Sequence, residues 1–127
     1  SWPRCSTSFE RRRVSCHDRD TVWLIFAPMK VTAEICVIPL GVGLSVSRYI
    51  AACQPILEAW HLKPQLHAYG TNVEGEWDDV FAAFKECHQT IHDLGAPRVH
   101  TTIKVGSRTD RPQTNDDKIA AVRGSSE

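Results

Sequence analysis

Between Lys30 and Val105 the chain alternates between two periodicities in a fixed order, and this order constrains its fold more than any other feature. Val31, Ala33, Ile35 and Val37 alternate with Thr32, Glu34, Cys36 and Ile38, the pattern of a half-buried strand, and Pro39 should end it. A helix should follow, with an apolar stripe of Val46, Tyr49, Ile50, Cys53, Leu57 and Trp60 and with Ser45 or Ser47 as its N-cap. Pro55 removes one of its backbone hydrogen bonds and should kink or split it. Gln65 to Gly70 alternates again, and Gly70-Thr71-Asn72 should turn the chain into a short strand through Val73. The second helix has the stripe Val80, Phe81, Phe84, Cys87, Ile91 and Leu94, with Glu76, Asp78 and Asp79 at its positive end and Gly95 as its stop. Val99 to Val105 closes the series as a strand.

Strand, helix, strand, strand, helix, strand with short connections predicts an α+β, ferredoxin-like βαββαβ sandwich: a four-stranded antiparallel sheet with two helices on one face. The other face would carry Thr32, Glu34, Cys36, Ile38, His67, Tyr69, Thr102 and Lys104. That mixture is too apolar and aromatic for a purely solvated surface, so a second sheet is expected to cover it in a homodimer or homotetramer. Thr32, Glu34, Cys36, Tyr69 and Thr102 are the expected interface residues.

The domain is expected to span residues 29–111. Residues 1–28 are rich in arginine, and Met29, the only methionine, directly precedes the first strand, so they read as an extension outside the fold. Residues 112–127 are a polar tail with room for one turn of helix at Asp117 to Val122. Fifteen basic residues balance fifteen acidic ones, so no nucleic-acid footprint or membrane anchor is expected. The apolar run from Val22 to Pro28 is far shorter than the roughly 20 residues of a membrane span. Five cysteines with no C-x-x-C spacing point to a reducing, cytoplasmic setting.

Two segments carry candidate chemistry. Gly41 to Ser47 brings Gly43, Ser45 and Ser47 to a helix N-terminus, where free N–H groups favour an anion or polar ligand edge. It has neither the Gly-Lys-Ser/Thr of a Walker loop nor G-x-G-x-x-G, and it reads equally as a tight turn with a cap. Gly70 to Trp77 concentrates Thr71, Glu74 and Trp77, where a cationic or heteroaromatic ligand could stack and bond. It also reads as a hairpin turn with Trp77 as the first core residue of a helix. His88 and His92 are four apart on a helix, but no third ligand is evident, so no metal is expected. No serine has a nucleophile-elbow context and no carboxylates pair at a recognisable spacing. Acyl phosphatases of this fold need an arginine in the loop after the first strand; Arg48 already lies in the helix, so no enzyme is expected.

Pro39-Leu40-Gly41-x-Gly43, Ser45-Val46-Ser47-x-Tyr49-Ile50-Ala51, Gly70-Thr71-x-x-Glu74-Gly75-x-Trp77-Asp78 and Arg98-Val99-x-Thr101-x-Ile103-Lys104-x-x-x-Arg108-x-Asp110 together resemble the small thiamine-binding proteins of bacteria, archaea and fungi. The resemblance covers nearly all of residues 29–111, with Val42 standing where the family commonly has Thr. It implies a ferredoxin-like fold, dimers and tetramers built by sheet association, and binding of thiamine or its pyrimidine portion without catalytic turnover. No cofactor would be required, thiamine itself being the ligand. A thiazolium cation, an aminopyrimidine and a hydroxyl ask for an aromatic face, a carboxylate and hydroxyl partners. Trp77, Glu74, Thr71, Ser45 and Ser47 match in kind and occupy motif positions. Lys104 and Arg108 would either recognise an anion such as sulfate or phosphate, or pair with Glu34. The alternative to a vitamin-binding protein is thus an assembly module, structural or regulatory, that holds such an anion.

Overall fold

A computed structural model describes residues 27–125; the extension up to Phe26, with its arginines, Cys5, Cys16 and most of the Val22–Pro28 run, lies outside the described residues. The elements are β1 (Lys30–Leu40), α1 (Ser47–Ala59), β2 (Gln65–His67), β3 (Gly70–Glu76), α2 (Trp77–Asp93), β4 (Arg98–Gly106) and α3 (Asn115–Gly124). The sheet order is β2-β3-β1-β4 and every neighbouring pair is antiparallel. This is the ferredoxin-like arrangement, with a third helix added.

Alternation in β1 decides which side is buried. Val31, Ala33, Ile35 and Val37 point at the helices and, with Val73 of β3, form the floor of the core. Tyr49, Cys53 and Leu57 of α1 and Val80, Ala83, Phe84, Cys87 and Ile91 of α2 close it from above. Leu62 and Ala96, each just past a helix end, complete it.

Local chemistry moves several of the expected boundaries. Pro39 does not end β1, because beyond Ile35 that strand borders only β4 and the side lacking an N–H has no ladder to break. Pro55 does not split α1, which runs unbroken past it; Gln54 Nε2 donates to both the Ile50 carbonyl and Thr71 Oγ1. Val46, not a serine, occupies the cap position of α1, and no side chain caps it. The β2–β3 turn falls at Ala68 and Tyr69, so Gly70, Thr71 and Asn72, expected as the turn, are already strand, and the strand through Val73 runs on to Glu76. Trp60, Phe81 and Leu94 lie at the rims of their expected stripes rather than in the core. Trp60 Nε1 donates to Glu86 Oε2 at 2.7 Å, and Leu94 is exposed.

Both long helices end in the same hydrogen-bonding pattern. Gly95 N–H donates to the His92 carbonyl and Ala96 N–H to that of Ile91, with Gly95 at φ 107°. At the end of α1 the equivalent bonds are His61 to Glu58 and Leu62 to Leu57, but here His61 takes φ 58° without being glycine. Lys63, at φ 50°, follows in the same left-handed region. Two side chains are thereby held in a backbone conformation that L residues rarely adopt, next to the site described below.

Candidate functional site

The sheet face opposite α1 and α2 is not bare. After β4, residues 107–114 fold back as a strap and α3 lies against the outer side of β3 and β1. A capping box starts this helix: Thr114 Oγ1 accepts from Asp117 N–H, and Asp117 Oδ2 accepts from Thr114 N–H. Four hydrogen bonds tie it to the sheet. Asn115 N–H donates to Glu74 Oε2 at 2.8 Å, and its side-chain amide donates to the Val73 carbonyl beyond the end of β2. Lys118 Nζ donates to Thr32 Oγ1 at 2.9 Å, and Gln65 Nε2 donates to Asp116 Oδ1. No residue of α3 is buried, so polar contacts rather than apolar packing hold it.

Between strap and sheet lies a cleft of about 780 Å3, lined among others by Thr32, Lys63, Glu74, Arg108 and Lys118. The Glu74 side chain is 19% exposed, and its other oxygen lies 3.8 Å from Lys63 Nζ. Arg108 forms a two-bonded ion pair with Asp110, which holds the Asp110 carboxyl down at about 2 and raises the arginine. A shallower groove continues over the sheet past Thr32 to Glu34, Asn72 and Lys104.

Of the expected ligand-binding residues, the structure brings Glu74 and Arg108 into the cleft and Lys104 into the adjoining groove. Thr71 faces the other way, buried beneath α1 on Gln54 Nε2. Gly43, Ser45 and Ser47 follow Leu40 at the far end of β1, whereas Lys30 pairs with Glu76 at the near end. Eleven residues of strand separate these ends by roughly 33 Å. Within one chain the Gly41–Ser47 loop therefore cannot share a site with Glu74 and Trp77, as their motif positions had suggested. Trp77 is no core residue: it is 41% exposed, opens α2 and packs on Phe81 with ring centres 4.7 Å apart.

Register places Thr32, Glu34, Cys36 and Thr102 on the outer face as expected, whereas Tyr69 stands in the β2–β3 turn, exposed. Glu34 sits opposite Lys104 but pairs with His67 at 3.2 Å. His67 Nδ1 accepts from Tyr69 N–H, leaving Nε2 as the donor to Glu34 and Asn72. His88 and His92 are taken up by Thr101 and by the Ala96 carbonyl; among the described residues no cluster of three potential metal ligands occurs.

His61, Lys63, Asn115 and Lys118 escaped the sequence reading. The spacing Thr114-x-x-Asp117 is a capping-box signal that locates α3, but nothing local announces that α3 returns to the sheet.

The family model described as thiamine-binding protein matches residues 33–123, which include Glu74, the whole strap and most of α3. The chain belongs to the thiamine-binding protein family. A member from Synechocystis, named only as a UPF0045 protein, is 56% identical over 94 residues, covering 74% of this chain and 78% of that one. A fungal UPF0045 protein from Eremothecium gossypii is 40% identical over 90 residues, 70% of this chain and 86% of its own. The crystal structure of the Methanocaldococcus jannaschii member superposes with a TM-score of 0.71 at 37% identity, covering 75% of this chain and 97% of that one. A Thermotoga maritima protein to which a part in thiamine biosynthesis or salvage is ascribed shares the fold, with a TM-score of 0.63 at 22% identity over 74% of this chain and 99% of its own. No helix among the described residues is long and apolar enough to cross a membrane.

Proposed function

We propose that the cleft under the strap binds thiamine or its aminopyrimidine portion without catalytic turnover, in a cytoplasmic homodimer or homotetramer. One observation carries this reading: the thiamine-binding family match takes in both walls of the cleft, Glu74 on the sheet and residues 107–118 above it. Glu74 offers a largely shielded carboxylate to a thiazolium or amino group, and Thr32 offers a hydroxyl. Pro112 adds apolar wall. Self-association is supported by the part of the outer face that α3 leaves open, where Ile38 and Leu40 are each 40% exposed beside Cys36 and Thr102. Cys36, Cys53 and Cys87 are free thiols, in keeping with a reducing compartment.

Titration calorimetry with thiamine and with the isolated pyrimidine alcohol tests the ligand, and light scattering after gel filtration tests the assembly. Saturable heat is expected, with binding weakened by roughly tenfold or more in Glu74→Ala. A silent titration at millimolar ligand, or a monomer at every concentration, sinks the corresponding half of the reading. A second reading, an assembly module holding sulfate or phosphate, is favoured by the basic lining of the cleft. Heat with sulfate and none with thiamine would select it.

A further inference from the structure

The cleft carries a charge that the chain as a whole lacks. Fifteen Lys and Arg balance fifteen Asp and Glu overall, yet the lining brings Lys30, Lys63, Arg108, Arg111 and Lys118 against only Glu74 and Asp110. These cations come from β1, the turn after α1, the strap and α3, so only the folded chain assembles them. A cationic ligand such as thiamine is met there by Glu74, while the surrounding cations weaken its binding. One with a positive and a negative pole would be matched at both.

The cations differ in how far they are committed. Arg108 is neutralised by Asp110. Lys63 lies 3.8 Å from Glu74, beyond hydrogen-bond length, and Lys118 donates to an uncharged hydroxyl. Among the described residues the Lys30 and Arg111 side chains form no close ion pair, although the Arg111 charge helps to lower the Asp110 and Asp117 carboxyls. A phosphate oxygen would replace the Thr32 hydroxyl as a stronger acceptor for Lys118 and would give Arg111 a directly bonded partner. The left-handed backbone at Lys63 holds that residue at the cleft at some conformational cost, as residues kept for binding often are. At about 780 Å3 the cleft is large enough for a drug-sized ligand.

We propose that the cleft prefers a phosphate ester of thiamine, the monophosphate or diphosphate, with the phosphate among Lys63, Arg111 and Lys118 and the thiazolium toward Glu74. This rests on the thiamine reading above and adds to it the form of the vitamin that is held.

The test is calorimetric titration of the full chain with thiamine, its monophosphate, its diphosphate and inorganic pyrophosphate, at low and high salt. The diphosphate is expected to bind at least about tenfold more tightly than thiamine. That margin should shrink in high salt and fall at least roughly threefold in Lys118→Ala and in Arg111→Ala. Because Arg111 is tied to the fold only through the charges of Asp110 and Asp117, an unchanged circular dichroism spectrum of its variant guards against mistaking misfolding for lost binding. Thiamine binding as tightly as its diphosphate overturns the proposal and leaves the vitamin reading standing. Pyrophosphate binding as tightly as the diphosphate, with thiamine not binding at all, overturns both.

Discussion

The two faces of the sheet are made by alternate residues of the same strands, and they are covered in opposite ways. On the inner face Val31, Ala33, Ile35, Val37 and Val73 meet two helices through apolar side chains, with Leu57, Val80, Cys87 and Ile91 wholly inaccessible to solvent. On the outer face Thr32 and Glu74 meet one short helix through hydrogen bonds, and that helix buries no residue. Apolar burial is additive and hard to undo, whereas polar docking to water-exposed groups gains little net free energy and is readily exchanged for solvent or a ligand. The inner face thus stabilises the domain, and the outer face leaves a charged cleft beneath a cover held by polar contacts.

The comparison is broken most directly in the core. Leu57→Ala should cost about 2–5 kcal/mol, read by denaturant unfolding, because it empties a site enclosed by both helices. Glu74→Gln, in the cleft, should cost only about 1 kcal/mol, since it weakens one charge-assisted bond to Asn115 while the fold beneath persists. Its larger effect should be faster amide exchange in residues 115–124 than in α2. His61→Gly should raise stability by up to about 1 kcal/mol by relieving the left-handed backbone at the end of α1. A loss of stability there would mean that the His61 side chain holds the turn. The smallest effect is expected in acid. Asp117 is held below its ordinary 3.8 by the Thr114 N–H it accepts, and Asp110 is held at about 2 chiefly by Arg108. Carboxyls depressed in the folded state contribute fully above 3.8 and lose that contribution as pH falls toward 2. Amide signals of α3 and the strap should therefore change over that range before those of α2 do. Simultaneous loss would contradict separate covers for the two faces.

The inner face was legible in sequence because period 2 and period 3.6 each select one buried side, and the buried residues of β1 and most of those of α2 follow that rule. The outer face was legible only in its register: Thr32, Glu34, Cys36 and Thr102 share it because they alternate with the core. What covers it was not legible, since α3 has no apolar stripe and docks through Asn115 and Lys118, whose partners are 41 and 86 residues away. The same limit misjoined the candidate site. Gly43, Ser47, Glu74 and Trp77 follow one another in ordered motifs, but an eleven-residue strand puts the first two and the last two at opposite ends of the sheet. Arg108 and Glu74, far apart in sequence, share the cleft.

The central claim is that the cleft between Glu74 and the strap is where the vitamin binds. Titration of thiamine into the full chain and into Glu74→Ala measures it directly. Saturable binding to the natural chain, weakened by roughly tenfold or more in the variant, is the expected result. Equal affinity in the two proteins, or no binding to either, would contradict it.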